Sequence, residues 1–465
     1  MREKIRRIIS DTVESIRGTE QDFTSGNLRR AIFLLAVPMV LEMAMESVFA
    51  VVDIFFVSKL GSEAVATVGI TESVMTLLYA IAVGLGMGTT ALVSRRVGEK
   101  KMEEASVTAA QSIILGLILS IPIAIAGIYF APDLLKIMGS SESMINTGYK
   151  YPLIIIGGNI VIMFLFIINA IFRGAGDASL SMRVLWISNL INIILDPCLI
   201  FGLGPFPELG IAGAAFATVI GRGTGVILQF YFLLNRKHRI GIALNDFRIR
   251  ISIIVKLARV SVGGVGQFLI STSSWIGLVR IMSTFGSSVL AGYTIAIRVI
   301  IFTLLPSWGL SNAAATMVGQ NLGAKKPKRA EKSVIVTSKI NFFFLTFIAL
   351  MFFMFAEKFI LIFVSEHSVV AAGTDALRFL SFALPFYAIG MVMIQSLNGS
   401  GDTKTPTIIN FFCFWLVEIP VAYILAIKLN FNATGVYLAI VLADAMISVI
   451  GIIVFKKGQW KNKVI

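Results

Sequence analysis

Residues 31–58 read AIFLLAVPMVLEMAMESVFAVVDIFFVS, a long apolar run that three acids interrupt. An α-helix needs about 20 apolar residues to cross a bilayer, so this run is long enough to span a membrane. Its residues do not alternate between apolar and polar as those of a barrel strand would. The run therefore predicts a transmembrane helix that carries Glu42, Glu46 and Asp53.

The rest of the chain continues in the same way. Of its 465 residues, 57% are hydrophobic and only 14% are charged, and the mean hydropathy is +0.87. Soluble domains carry about 25% charged residues, so the composition argues against a soluble protein. We predict an all-α, polytopic membrane protein with 12 transmembrane helices. These spans lie near residues 31–58, 64–93, 107–130, 148–172, 181–202, 210–235, 253–283, 288–318, 334–355, 371–397, 405–428 and 433–455.

Lys and Arg are distributed unevenly among the connections. With the N-terminus placed inside, 31 of the 40 Lys and Arg fall on inner segments, five on outer segments and four within spans. Cytoplasmic loops carry such an excess, so both termini are predicted to be cytoplasmic. The net charge of +14 is then a topology signal, and no nucleic-acid partner is expected.

The chain repeats itself at an offset of 225 residues. Gly61-Ser62 recurs as Gly286-Ser287, and Gly174-x-Gly176-Asp177 recurs as Gly399-x-Gly401-Asp402. Six spans fit in each repeat, so the halves are parallel and related by an axis along the membrane normal. This symmetry is typical of carriers that alternate access around a central site. A duplicated bundle without a transport role is the alternative.

The repeat divides the chain into two lobes. We predict a cytoplasmic N-terminal segment (1–30), an N-lobe with spans 1 to 6 (31–235), a cytoplasmic linker (236–252), a C-lobe with spans 7 to 12 (253–455) and a cytoplasmic tail (456–465). Residues 1–17 place apolar side chains along one helical side. This pattern predicts either an interfacial helix or a solvated tail.

Acids inside spans mark candidate sites. A charge at the centre of a span costs about 2.5–3.5 kcal/mol even on the lenient insertion scale, so it faces the bundle or a wet cavity. Glu42, Glu46 and Asp53 lie four and seven residues apart, which puts them on one side of span 1. This side is therefore predicted to look inward.

Span 5 adds a second set of polar residues at a similar depth. Asn192 and Asp196 lie one turn apart, and Pro197 disturbs the backbone hydrogen bond of the preceding turn. Thr218 of span 6 lies near the same level, so Asp53, Asn192, Asp196 and Thr218 are predicted to converge. Hard oxygen donors suit Na⁺, and two adjacent carboxylates suit H⁺ carriage. A hydrogen-bonded clamp between helices is the alternative.

Other intramembrane polar residues remain open in role. Arg222 is predicted to pair with Glu42 or Glu46, either to neutralise charge or to contact substrate. Glu418 in span 11 and Asp444 in span 12 are candidates for a second ion site or a structural contact. Gln267 of span 7 lies at the repeat position of Glu42 and is a candidate for substrate contact.

Several classes of function are not expected. The two cysteines lie in apolar runs and the two histidines in polar connections, which argues against a disulfide framework and a Cys- or His-based metal site. The glycine motifs lack a following Lys-Ser/Thr, so no ATP-driven pump and no ATPase subunit is predicted. No nucleophile elbow or other catalytic motif is evident, so an enzyme is not expected, and neither is a resident cofactor.

Ordered motifs of the N-lobe resemble those of a known family. They are Pro38, Val52-Asp53-Ile-Phe-Phe-Val-Ser-Lys-Leu-Gly61, Phe172-Arg-Gly-Ala-Gly-Asp177, Asn192-Ile-Ile-Leu-Asp196-Pro197 and Gly213-Ala-Ala-Phe-Ala-Thr218. With the half-repeat, they make the chain similar to the multidrug and toxic compound extrusion (MATE) family, in its prokaryotic DinF-like branch, over nearly its whole length.

The resemblance implies a V-shaped fold of two six-helix lobes. It also implies export of amphiphilic, cationic drugs or dyes in exchange for Na⁺ or H⁺, with the coupling site at Asp53, Asn192, Asp196 and Thr218. Pro38 corresponds to a bending proline, and Asn169 to a polar position that lines the lobe. Glu42 and Glu46 replace less acidic residues of the branch, which predicts a cavity that favours cations and in which these two acids bind the charge of the substrate.

The expected setting is the prokaryotic inner membrane, with a monomer in the lipid bilayer. A lipid-linked oligosaccharide flippase of the same superfamily is the alternative function. That function would favour a basic cavity, and the acids of span 1 argue against it.

Overall fold

The computed structural model describes residues 2–18, 22–236 and 238–465, and every regular element in these ranges is helical. Within them, 11 helices are long and apolar enough to cross a membrane, and one bent pair brings the spans to 12. The predicted fold class is thus confirmed. The spans are Leu28–Ser58, Ser62–Gly98, Met102–Ile137, Lys150–Ala175, Ala178–Phe201, Ile211–Asn235, Ile251–Phe285, Ser287–Gly323, Pro327–Leu361, His367–Ser381 with Leu384–Gly399, Lys404–Lys428 and Asn432–Lys457.

Two spans depart from a regular α-helix. Span 10 consists of two helices that meet at an angle of 52°, with a proline at the start of the second. Span 11 contains two π-helical segments, Phe411–Glu418 and Ile424–Lys428, on either side of one α-turn. Wider π-turns inside α-helices are rare and occur frequently at functional sites.

The two lobes pack against each other at the ends of the spans that hold both termini. There span 2 runs beside span 7, and span 8 lies against span 1. Gly98, at the last position of span 2, faces the backbone of span 8 so closely that a Cβ atom would overlap the carbonyl oxygen of Gln320. The side-chain amide of Gln320 donates in turn to the carbonyl oxygen of Gly174, at 2.9 Å. Small residues permit this close backbone approach.

The N-terminal segment forms a helix, Arg2–Arg17, that packs on the start of span 1. Arg30 of span 1 makes ion pairs with Asp11 at 2.9 Å and with Glu14 at 2.5 Å. The apolar residues Ile9 and Val13 stay exposed on its other side. The segment is therefore a helix docked on span 1, with apolar side chains left exposed on its surface.

This helix also satisfies a backbone group that a proline leaves free. Pro38 lies inside span 1, which runs unbroken through it. Because proline has no N–H, the carbonyl of Leu34 loses its partner within the helix. The buried hydroxyl of Ser15 donates to that carbonyl oxygen at 3.1 Å. The N-terminal helix thus holds span 1 at the proline.

Replacing Gly98 with alanine should separate the lobes, because its Cβ would overlap the backbone at Gln320. Spin labels on the exposed residues Glu103 and Lys328, one in each lobe, measure this separation in a cysteine-free background. We expect a longer distance distribution in Gly98→Ala. Gly69→Ala, in the same span with open space around it, should keep the wild-type distribution. An unchanged distribution in Gly98→Ala would contradict the packing.

Ser15→Ala should loosen span 1 around its proline, because a buried carbonyl oxygen loses its donor. A lost hydrogen bond of this kind costs about 1–3 kcal/mol. Hydrogen–deuterium exchange of peptides that cover residues 30–40 measures the effect, and we expect faster exchange. Ser10→Ala, an exposed position on the same helix, is the matched control. Equal exchange in the two variants would show that the Ser15 contact is not formed.

Candidate functional site

A cavity of about 590 Å³ lies between the two lobes. Its wall combines residues from five spans of each lobe and is mostly apolar and aromatic. Five charged residues reach it: Glu42, Glu46, Arg173, Arg222 and Asp444. A concave apolar cavity with a few polar groups is typical of a small-molecule site.

Two ion pairs occupy the N-lobe wall of this cavity. Glu42 accepts from Arg173 at 2.7 Å and from the hydroxyl of Ser181 at 3.0 Å. Glu46 accepts from Arg222 at 3.0 Å, and the amide of Asn189 donates to it at 3.2 Å. Glu42 and Glu46 therefore face the cavity, as predicted for this side of span 1, and each has a positive partner.

Arg173 is a residue whose role the sequence reading missed. It lies near the inner end of span 4, and the sequence indicates only that its charge helps to set the topology. In the structure its guanidinium contacts the carboxylate of Glu42 on span 1. Glu42 in the middle of span 1 was the signal that could have indicated this pairing, since a buried carboxylate needs a partner. Arg222 was predicted to pair with Glu42 or Glu46, and the structure pairs it with Glu46.

The four residues predicted as the coupling site come from spans 1, 5 and 6. The amide of Asn192 donates to the hydroxyl of Thr218 at 3.3 Å and to the carboxylate of Asp196 at 3.5 Å. Asp53 lies within electrostatic interaction range of Asp196. One buried oxygen on each of Asp53, Asn192 and Asp196 has no hydrogen-bond partner among the described residues. These four residues are called the N-lobe cluster below.

A close helix contact brings the N-lobe cluster together. Gly221 of span 6 lies against span 5, where a Cβ atom would come within 2.8 Å of the Cβ of Asn192. Thr218, one turn earlier on span 6, thereby reaches the amide of Asn192. A larger residue at Gly221 would push the two helices apart and separate these donors.

The other predicted cavity residues form amide pairs. Asn169 accepts from Gln229 at 2.7 Å. Gln267 and Asn398 exchange two hydrogen bonds of 3.0 Å each across the C-lobe. Asn169 and Gln267 both line the cavity, which is where residues that contact a substrate are expected.

The C-lobe acids differ in exposure. Glu418 is buried and accepts from the hydroxyl of Ser274 at 2.6 Å. Asp444 lines the cavity and lies within electrostatic interaction range of Glu418. Among the residues that the structure describes, neither acid makes an ion pair. The two predicted second-site residues are thus neighbours.

Glu72 of span 2 is a second residue that the sequence reading missed. It lies within electrostatic interaction range of Asp53 and of Arg298 on span 8. An acid inside a span was the signal that found Asp53, and the same rule applied to Glu72 would have found it.

Comparisons with known proteins agree with this architecture. A sequence model described as MatE matches residues 38–198 and 264–424. The chain is 26% identical over 438 residues to the probable multidrug resistance protein YoeA of Bacillus subtilis, covering 93% of this chain and 94% of that protein. It is 26% identical over 402 residues to the FAD transporter of Shewanella oneidensis, covering 86% and 88% of the two chains.

A solved structure has the same fold. It is described as the outward-facing conformation of a multidrug resistance MATE family transporter of the MOP superfamily. The two structures superpose with a TM-score of 0.88 at 26% identity, covering 95% of this chain and 98% of the other.

Two six-helix lobes around a shared cavity define a multi-pass membrane carrier with the V-shaped fold. The family match covers more than half of the chain, in both lobes, and so identifies it. The chain belongs to the MatE family, as the motifs of its N-lobe predicted.

Arg173→Met should destabilise the protein, because the carboxylate of Glu42 would stay buried without a positive partner. Breaking a buried ion pair in this way costs about 3–5 kcal/mol. The apparent Tm of the purified protein measures the loss. We expect a clear drop in the single variant and recovery in Glu42→Gln/Arg173→Met, which removes both charges. A double variant as unstable as the single one would contradict the role of the pair.

Proposed function

We propose that this chain is a secondary active antiporter, which exports amphiphilic, cationic compounds in exchange for Na⁺ or H⁺ by alternating access. The N-lobe cluster carries this proposal. It brings two carboxylates, an amide and a hydroxyl together inside a lobe, and no ion pair is made by these carboxylates among the described residues. Carboxylates in an apolar interior favour a bound cation or proton.

The donor set fits either coupling ion. Oxygen ligands from carboxylate, amide and hydroxyl groups are those that hard cations prefer. Two neighbouring carboxylates also disfavour double ionisation, so one of them readily holds a proton. The unpartnered oxygens of Asp53, Asn192 and Asp196 are the atoms at which either ion would bind.

Arg222 supplies a link between the N-lobe cluster and the cavity. Its guanidinium binds Glu46 on the cavity wall and lies within electrostatic interaction range of Asp53. When an ion neutralises Asp53, the balance of charge around Arg222 changes. Binding in the N-lobe cluster therefore alters the wall that a substrate contacts.

Exchange also requires two conformations that differ in affinity. The ion and the substrate are exchanged only if each of them favours a different conformation. A ligand that binds both conformations with equal affinity does not shift the equilibrium between them. In this structure the lobes are packed together at the ends that hold the termini. Opening at that side and closing at the other would give the second state, with Pro38 as the point at which span 1 bends.

The proposed substrate class follows from the cavity and from the relatives. Apolar and aromatic walls suit the body of an amphiphilic compound, and the cavity acids suit a positive charge. The relative YoeA is named as a probable multidrug resistance protein. Another relative of this chain is named an FAD transporter, so FAD is a necessary comparison compound.

The proposed setting is the prokaryotic cell membrane, with both termini in the cytoplasm. The distribution of Lys and Arg supports this orientation. We propose that the carrier works as a monomer in the bilayer, driven by the ion gradient and without an ATPase subunit.

Proteoliposomes with Na⁺ and pH gradients imposed one at a time test this function. We expect transport of ethidium to respond to at least one of the gradients. Asp53→Asn and Asp196→Asn should reduce it to the rate of empty liposomes, because the N-lobe cluster loses a carboxylate. Asp133→Asn, an exposed acid at the far end of span 3, is the matched control.

Two results would contradict the proposal. Undiminished gradient-driven transport in both acid variants would remove the N-lobe cluster from coupling. Transport of FAD or a lipid-linked oligosaccharide, with none of ethidium, would contradict the proposed substrate class.

A further inference from the structure

Three carboxylates reach the cavity, and they differ in their partners. Glu42 is bound by Arg173, and Glu46 by Arg222. Asp444 has neither an ion pair nor a hydrogen bond among the described residues. The positive charge of a bound compound would have to compete with an arginine at either N-lobe acid, whereas no cation competes at Asp444.

A group of buried polar side chains lies within electrostatic interaction range of Asp444. It contains the buried carboxylate of Glu418 and the hydroxyl of Ser274 that binds it at 2.6 Å. The hydroxyl of Tyr293, a side chain only 1% exposed, has no hydrogen-bond partner among the described residues and lies within electrostatic interaction range of Glu418. A second carboxylate without a cation increases the attraction of Asp444 for a positive charge.

Span 11 is distorted where it supplies Glu418. Glu418 is the last residue of the π-helical segment Phe411–Glu418, and Pro420 follows it. A distortion of this kind points to a function at the carboxylate that it positions.

Aromatic side chains line the cavity together with Asp444. They include Trp275 and Phe414, as well as Trp308 and Tyr387, which share a hydrogen bond of 2.5 Å. Tyr387 lies within electrostatic interaction range of Asp444. Aromatic faces attract organic cations, and most strongly where water is excluded.

The internal repeat relates this place to the N-lobe cluster. At the 225-residue offset of the repeat, Asn192 corresponds to Val417 and Thr218 to Ala443, so each C-lobe acid follows the equivalent position by one residue. Spans 5 and 6 of one lobe and spans 11 and 12 of the other thus carry polar groups at a similar depth. Only the C-lobe pair reaches the cavity, through Asp444.

We propose that Asp444, with Glu418 near it and aromatic side chains beside it, binds the positive charge of the transported compound. This inference rests on the proposed function and assigns the charge of the substrate to the C-lobe. Glu42 and Glu46 then stabilise the N-lobe wall of the cavity through their ion pairs with Arg173 and Arg222, and the N-lobe cluster binds the coupling ion.

Fluorescence titrations of the purified full-length protein in nanodiscs, at one pH and one Na⁺ concentration, test this proposal. The probes are ethidium, a cationic dye, and Nile red, a neutral one. Asp444→Asn should weaken ethidium binding about tenfold, equivalent to about 1.4 kcal/mol, and leave Nile red binding unchanged. Asp444→Glu should retain ethidium binding, because it keeps the charge.

Control variants separate a charge effect from a packing effect. Asp375→Asn removes an exposed acid from span 10 of the same lobe and should bind both dyes as the wild type does. Glu418→Gln should weaken ethidium binding less than Asp444→Asn, because Glu418 is buried and does not line the cavity.

Two results would overturn the proposal. They are equal ethidium affinity in Asp444→Asn and the wild type, and equal loss of both dyes in that variant. A wild-type protein that binds no cationic dye would instead contradict the proposed substrate class, so the two failures are distinguishable.

Discussion

A carboxylate inside an apolar bundle requires a positive charge close to it, and this constraint organises the interior of the transporter. Removing an isolated ion from water costs many kcal/mol, and a proton, a metal ion or a basic side chain must offset that cost. The structure divides its intramembrane acids accordingly. Glu42 and Glu46 have arginines, while the acids of the N-lobe cluster and of the C-lobe pair have none among the described residues. Acids with a permanent arginine partner stabilise the structure, whereas acids without one are able to bind an exchangeable cation.

Duplication explains how these sites share one scaffold. Each lobe supplies five spans to the cavity, and the lobes pack at the ends that hold the termini through close contacts such as that of Gly98 with span 8. The polar groups did not stay equal after duplication. The N-lobe has acids in its first span and in span 5, whereas the C-lobe has acids in its last two spans. The proposed division between coupling ion and substrate follows from that asymmetry.

Much of this arrangement could be predicted from the sequence, because the bilayer restricts what a chain can do. Apolar run length gave the 12 spans, and helical spacing put Glu42, Glu46 and Asp53 on one side of span 1. Lateral partners were harder to predict, since they depend on how helices rotate against each other. The pairing of Arg173 with Glu42 is one example, and the lack of an ion pair for Asp444 among the described residues is another. The bend of span 10 and the π-turns of span 11 were not predicted, although Pro385 and Pro420 mark both places in the sequence.

The central claim is that carboxylates without a permanent partner carry the exchanged ion. Its most direct test is the ion flux that a dye gradient drives, followed with pH- and Na⁺-sensitive reporters trapped in proteoliposomes that start without an ion gradient. The account predicts a counterflow of H⁺ or Na⁺ in the wild type and none in Asp196→Asn. Counterflow that persists in that variant would contradict the account, because the ion would then be carried elsewhere.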